Sequence, residues 1–278
     1  MSGQRYYGGT GDPYSRQGRG GGTSRFKLFL YIGLAMAAFQ AFKYYTNVQT
    51  NPVTGEKQRI QMNTEEEVQL GLNSVPHMAQ QHGGLHPDQN AQALVDRVGQ
   101  RLIKNTIAQK TGYPFDFHLL ADEQSVNAFA LPGGQCFITA ALLSKLKNED
   151  QLAGVIGHEI GHVIHRHGAE RQASQGFIQG LIQSIMIGTG GDPSLTNVAN
   201  VVAQYKSMKY GRDQELESDD FGVRLMIEAG YNPENLIGVM DILEASSGGS
   251  RVPEFQSTHP SPENRRQMIK AAIEKYKK

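Results

Sequence analysis

Gly157-His158-Glu159-Ile160-Gly161-His162 is the stretch that decides how this chain is read. At about 100° and 1.5 Å per residue, positions i and i+4 of a helix share one face. His158 and His162 can therefore aim at one ion, while Glu159, rotated round the same turn, reaches past that ion toward a water. This is the H-E-x-x-H arrangement of zinc hydrolases. The flanking residues Leu152, Val155, Ile156, Ile160, Val163 and Ile164 make the helix apolar enough to be buried. Polar groups inside such a helix need partners, and a cation is the partner this pattern calls for.

Working outward, a catalytic zinc keeps three protein ligands and one open position. A glycine three residues after His162 and a histidine three further on would complete one class of site. The chain has His165 and Gly168 there instead, the reverse order. A carboxylate from a later helix is the other solution. The segment Arg212-Asp213-Gln214-Glu215-Leu216-Glu217-Ser218-Asp219 supplies it. Glu215 and Asp219 are one turn apart, so Glu215 can bind the ion while Asp219 accepts the outer N–H of a ligating histidine. Glu217 points elsewhere. His165 and His167 are assigned to the surface or to supporting contacts, since a fourth ligand would leave no place for water. His77, His82 and His86 match no metal spacing and read as solvated.

Ahead of the metal helix, Phe115–Leu120, Val126–Leu131 and Gln135–Thr139 read as strands, with Pro132-Gly133-Gly134 as the turn between the last two. Helical periodicity covers 64–82, 90–109, 139–147, 149–167, 174–187, 213–229, 233–246 and 261–276. The fold class is α+β, mostly α, with one small sheet beside the metal helix. No internal repeat is present.

Four segments follow. Residues 1–24 are rich in Gly, Arg, Ser and Tyr and lack the aliphatic residues needed to fold, so they read as a disordered tail. Residues 25–45 read as a transmembrane anchor, built on the apolar run Leu28–Phe42 with Lys27 before it and Lys43, Tyr44 and Tyr45 after it. A cleaved signal peptide is the rival reading, though the long tail and the lack of a small-x-small site speak against it. Residues 46–63 read as a polar linker and 64–278 as the catalytic domain. Upstream Arg5, Arg16, Arg19, Arg25 and Lys27 place the tail on the cytoplasmic side and the domain on the exported side of an inner membrane, with the mitochondrial inner membrane as the alternative. The balance of 27 basic and 27 acidic side chains excludes a dedicated nucleic-acid binder. The single cysteine, Cys136, excludes an internal disulfide and any thiolate zinc cluster, and its apolar neighbours make it a buried inert thiol. The apolar helix 174–187 and the glycines after it read as a hairpin that gates the cleft or faces the membrane.

Beyond these readings, the chain resembles the HtpX and CAAX prenyl protease family of membrane-associated zinc metallopeptidases, most closely its OMA-like members with one catalytic domain. The resemblance rests on Asn127–Gly134, His158–Val163 with Arg166-His167-Gly168, Arg212-x-x-Glu215-x-x-x-Asp219, and Ser257-Thr258-His259-Pro260 followed by Arg265, in family order over roughly 64–270. Ser218 stands where the family usually has alanine. The resemblance implies one Zn²⁺ per chain, Glu159 as general base, and a polypeptide substrate held by strand addition at 125–131. It also implies that His259 and Asn127 assist at the oxyanion. The function expected is a membrane-anchored endopeptidase that removes misfolded or damaged proteins. Two other readings stand beside it: a metal-binding chaperone or assembly factor with dormant protease activity, and a tethered interaction protein working through its Gly/Arg tail.

Overall fold

The computed structural model describes residues 22–104, 106–246, 254–259 and 262–277. Helix α1 (Gly22–Thr46) is followed by a short hairpin, β1 (Gln49–Thr50) and β2 (Lys57–Gln58), then α2 (Thr64–Gln81) and α3 (Gln89–Lys104). A 3₁₀ turn at Ile107–Thr111 leads into β3 (Asp116–Leu120), β4 (Ala128–Ala130) and β5 (Gln135–Thr139). The rest is helical: α4 (Ala140–Leu143), α5 (Glu149–Ile164), α6 (His167–Gly188), α7 (Pro193–Glu228), α8 (Asn235–Ala245), α9 (Glu254–Thr258) and α10 (Arg265–Tyr276). The mostly helical α+β reading holds.

Local chemistry explains most boundaries. Asn63 and Glu66 form a reciprocal capping box at the start of α2, with bonds of 2.8 and 2.9 Å. Asn148 caps α5 through Gln151 N at 2.9 Å, and Glu149 and Asp150 complement the helix dipole in its first turn. The helix expected at 149–167 breaks after Ile164. Arg166 adopts φ 55°, a left-handed conformation rare outside glycine, and α6 departs in a new direction. Its guanidinium is buried against Glu67 (Nε–Oε1 2.8 Å), Gln49 Oε1 (2.9 Å) and the Met62 carbonyl (3.0 Å), and these contacts hold the kink in place.

Three stretches differ from their sequence readings. The helix expected at 139–147 is a single turn, α4. The helix expected to begin at 213 begins at Pro193, capped by the Asp192 side chain. The segment 46–63 is no free linker: its hairpin docks on the metal helix. Asn51 Nδ2 donates to the Ile164 carbonyl at 2.7 Å and the Gln58 amide to that of His165, so two orphan carbonyls at the C-terminus of α5 find partners. Ile60 beside them is fully buried.

The sheet runs β3-β5-β4, with β3 parallel and β4 antiparallel to β5, leaving β4 at an edge. The core lies between this sheet, α3, α5, α7 and α8, with Leu102, Leu119, Ile138, Leu152, Ile160, Leu225 and Met226 among its fully buried side chains. Helices α5 and α7 cross at backbone contact. A Cβ on Gly161 would sit 2.9 Å from the Ser218 carbonyl oxygen, and one on Gly222 would sit 3.0 Å from the His158 nitrogen. Small residues at these positions are what let the two metal-bearing helices approach.

Arg25–Thr46 of α1 is long and apolar enough to cross a membrane, with Phe26, Leu28, Phe29, Leu34, Phe39 and Phe42 exposed. The other apolar helix, α6, lies antiparallel along it: Tyr44 stacks on Phe177 at 4.4 Å, Gly180 abuts Gln40, and Gly188 and Ser184 close on Gly33. The tail expected at 1–24 falls outside the described residues through residue 21, and α1 already begins at Gly22.

Candidate metal centre

Helix α5 sets His158 and His162 one turn apart with ring centroids at 4.7 Å and their Nε2 atoms only 3.1 Å from each other. Helix α7 brings Glu215 against both: Oε2 is 3.3 Å from His158 Nε2, and Oε1 is 3.3 Å from His162 Nε2. Tetrahedral coordination at about 2.0–2.1 Å places neighbouring ligand atoms about 3.3 Å apart. The imidazole nitrogens, 3.1 Å apart and each 3.3 Å from a different oxygen of the Glu215 carboxylate, lie close to that spacing. Glu215 is fully buried and its Oε2 makes no hydrogen bond, although His158 Nε2 and Arg265 Nη2 lie 3.3 and 3.4 Å away. A divalent cation fits this set of two imidazoles and a carboxylate.

The backing of the set is equally specific. Asp219, one turn after Glu215, meets His158 Nδ1 at 2.8 Å and is itself gripped by buried Arg265, with Nε–Oδ2 at 2.6 Å and Nη2–Oδ1 at 2.9 Å. A proton on Nδ1 leaves the Nε2 lone pair of His158 directed at the cation position. Burial alone would raise the Asp219 carboxyl, but the Arg265 charge and the His158 bond hold it below its ordinary value. Glu215 is held well below its own range against the same burial, through His259, His162 and His158. His158 rises to about 10, since Asp219 and Glu215 outweigh desolvation, whereas His162 falls to about 3, chiefly through burial.

Glu159 is buried with both carboxylate oxygens free of hydrogen bonds among the described residues, and its Oε1 lies 3.6 Å from His259 Nε2. His259, expected to act at the oxyanion, is also a potential ligand in this geometry. Its Nδ1 is 3.0 Å from Glu215 Oε1 and 3.3 Å from His158 Nε2, while Nε2 faces the Ala128 carbonyl at 3.3 Å. His158, His162, Glu215 and His259 each offer one atom to a common point. Asn127 is buried one residue before Ala128, with its backbone tied to Thr139 and its Oδ1 unpaired. Its described contacts do not reach the cluster. Pro260 lies outside the described residues.

Of the two roles open to His167, surface or support, the structure shows support, with His162 as the partner that the sequence did not name. His167, on the first turn of α6, is buried with Nδ1 2.9 Å from His162 Nδ1 and Nε2 3.0 Å from Glu217 Oε2. Glu217 does point away from the cation position, but onto this histidine. The break at Arg166 hides the contact, because an uninterrupted helix would turn residue 167 away from 162. His82 is likewise not solvated; it is buried against Asp122 at 3.1 Å. Cys136 is buried, and desolvation pushes its thiol well up.

The sequence profile of peptidase family M48 matches residues 89–273, which carry every residue of this cluster. The chain belongs to peptidase family M48. Among M48 relatives, the beta-barrel assembly-enhancing protease of Escherichia coli is 30% identical over 181 residues, covering 62% of this chain and 36% of that protein. The mitochondrial metalloendopeptidase OMA1 of Schizosaccharomyces pombe is 25% identical over 245 residues, covering 87% and 71%. OMA1 of Arabidopsis thaliana is 33% identical over 157 residues, covering 55% and 31%. The chain thus spans about a third of the length of the bacterial relative. Family membership implies a metal ion, and the His–Glu cluster is where the M48 fold of this chain could hold it.

Proposed function

We propose that this protein is a membrane-anchored zinc metalloendopeptidase that hydrolyses peptide bonds in misfolded or damaged proteins. The observation that carries the reading is the convergence of His158, His162 and Glu215 beside a buried carboxylate, Glu159, that makes no hydrogen bond among the described residues. Bound there, zinc would acidify water and polarise the scissile carbonyl. Glu159, unencumbered by hydrogen bonds, takes the proton of the attacking water and returns it to the leaving amine. Asp219 and Arg265 fix the ring of His158 throughout.

The edge strand supports a peptide substrate. Asn127 and Leu131 bond to β5 and Phe129 is in register with Phe137, so alternation turns the N–H and C=O groups of Ala128 and Ala130 outward toward the cleft. A strand added there is read by its main chain, which suits substrates of varied sequence. His259 occupies both places that catalysis needs, the fourth position of the cluster and the carbonyl of Ala128. In this reading His259 withdraws as substrate arrives, leaving the resident ligands to α5 and α7, and with Asn127 it meets the developing oxyanion.

In this reading helix α1 serves as the anchor, and the basic residues at and before its N-terminal end support an exported catalytic domain at an inner membrane. The relatives' names include both a bacterial and a mitochondrial setting, and the chemistry is the same in either. A second reading, a metal-binding chaperone or assembly factor with dormant proteolysis, draws on the four-donor geometry, which closes the site. Casein-type cleavage by the detergent-solubilised protein separates the two. The peptidase reading predicts turnover that chelator abolishes and that Glu159→Gln lowers roughly 10²–10⁴-fold; cleavage unaffected by both would refute it.

A further inference from the structure

We propose that a second divalent cation binds beside the first, at His165, His167 and Glu217. His167 Nε2 is 3.0 Å and His165 Nδ1 4.0 Å from Glu217 Oε2, and Glu56 Oε2 from the β1–β2 loop lies 3.5 Å from the same His165 nitrogen. The two rings stack at 5.3 Å, and the ligand atoms of the three residues lie within 4.8 Å of one another. The independent observation is His165 itself. It is only 7% exposed, yet neither ring nitrogen makes a hydrogen bond among the described residues. Burying an imidazole this way is costly unless something binds it. Two carboxylates, Glu56 and Glu217, face its Nδ1, so the group that completes the site is a cation. Imidazole with carboxylate and no thiolate suits Zn²⁺. Glu56 and Glu217 are about half exposed, which gives an entry path from solvent and leaves two side chains to be ordered on binding. Affinity is therefore below that of the buried peptidase cluster.

The two sites oppose each other, on the reading that His162 ligates the peptidase metal through Nε2. His162 then carries its proton on Nδ1 and donates it to His167 Nδ1, 2.9 Å away. A neutral imidazole has one proton to place. With the second site empty it sits on His167 Nε2 and goes to Glu217. With Nε2 coordinated it must sit on Nδ1, facing the proton of His162, and that hydrogen bond is lost. Filling the second site thus loosens the ring that the first one uses, and excess zinc inhibits.

Zinc titration of the full-length protein in detergent, read by competition with a chromophoric chelator, tests this. Wild type binds two equivalents, the second at least about tenfold weaker. His165→Gln binds one, and so does Glu217→Gln, whose half-exposed position makes misfolding no explanation. His158→Ala loses the tight equivalent and keeps the weak one, so failure of the peptidase-site reading leaves this measurement standing. Casein cleavage by wild type falls as the second equivalent binds, while that of His165→Gln does not. A single equivalent in wild type at saturating zinc would overturn the proposal, as would a second equivalent that survives both His165→Gln and Glu217→Gln.

Discussion

The two imidazoles of α5 share one face and one target, yet the protein backs them differently. His158 leans on Asp219 and, behind it, Arg265, all three buried. His162 leans on His167 and, behind it, Glu217, whose side chain is 48% exposed. One arm ends in a dry ion pair and the other ends in water. The difference is physical: a carboxylate held by a guanidinium in low dielectric is a fixed orienting group, whereas a buried histidine backed by a half-exposed glutamate is open to solvent and ions at its outer end. Rigidity therefore belongs to the α5–α7–α10 side of the cluster and adjustability to the α5–α6 turn.

The largest effect that can break this comparison is on the dry arm. Arg265→Ala strands the Asp219 carboxylate without its counter-ion and should cost about 3–5 kcal/mol, read as a large drop in thermal midpoint; an unchanged midpoint would show that the pair is not structural. Gly161→Val forces a side chain into the Ser218 backbone and should cost about 1–3 kcal/mol by the same assay while spreading the ligand helices. Asp219→Asn keeps the volume but weakens the orienting bond, so zinc affinity should fall about 10–100-fold in a chelator competition. His167→Asn should reduce tight-site affinity by less than Asp219→Asn. If it reduced affinity by more, the wet arm would be the one that fixes the site.

Much of this was legible beforehand because helical spacing is local. The i, i+4 pair at 158 and 162, Glu215 with Asp219, and the strand–turn–strand around Pro132-Gly133-Gly134 each depend on periodicity within a few residues, and the structure brings them to the expected places. What escaped depends on contacts distant in sequence or on backbone breaks. Asn51 and Gln58 cap α5 from more than a hundred residues away, so a polar stretch that looked like a tether is part of the domain. Arg166 ends the helix by taking a left-handed conformation supported by Glu67, and nothing in its own neighbourhood signals that. His259 was singled out only by the resemblance, and its place beside Glu215 and His158 was not legible, since a loop histidine has no periodicity to aim it. The run Leu28–Phe42 and the helix 174–187 were both visible as apolar, while their packing along each other was not.

The most direct measurement is the zinc content of wild type, Glu159→Gln and Glu215→Ala after exhaustive dialysis against metal-free buffer, a treatment that removes weakly held ions. One equivalent is expected in the first two and none in the third. A full equivalent retained by Glu215→Ala would contradict this.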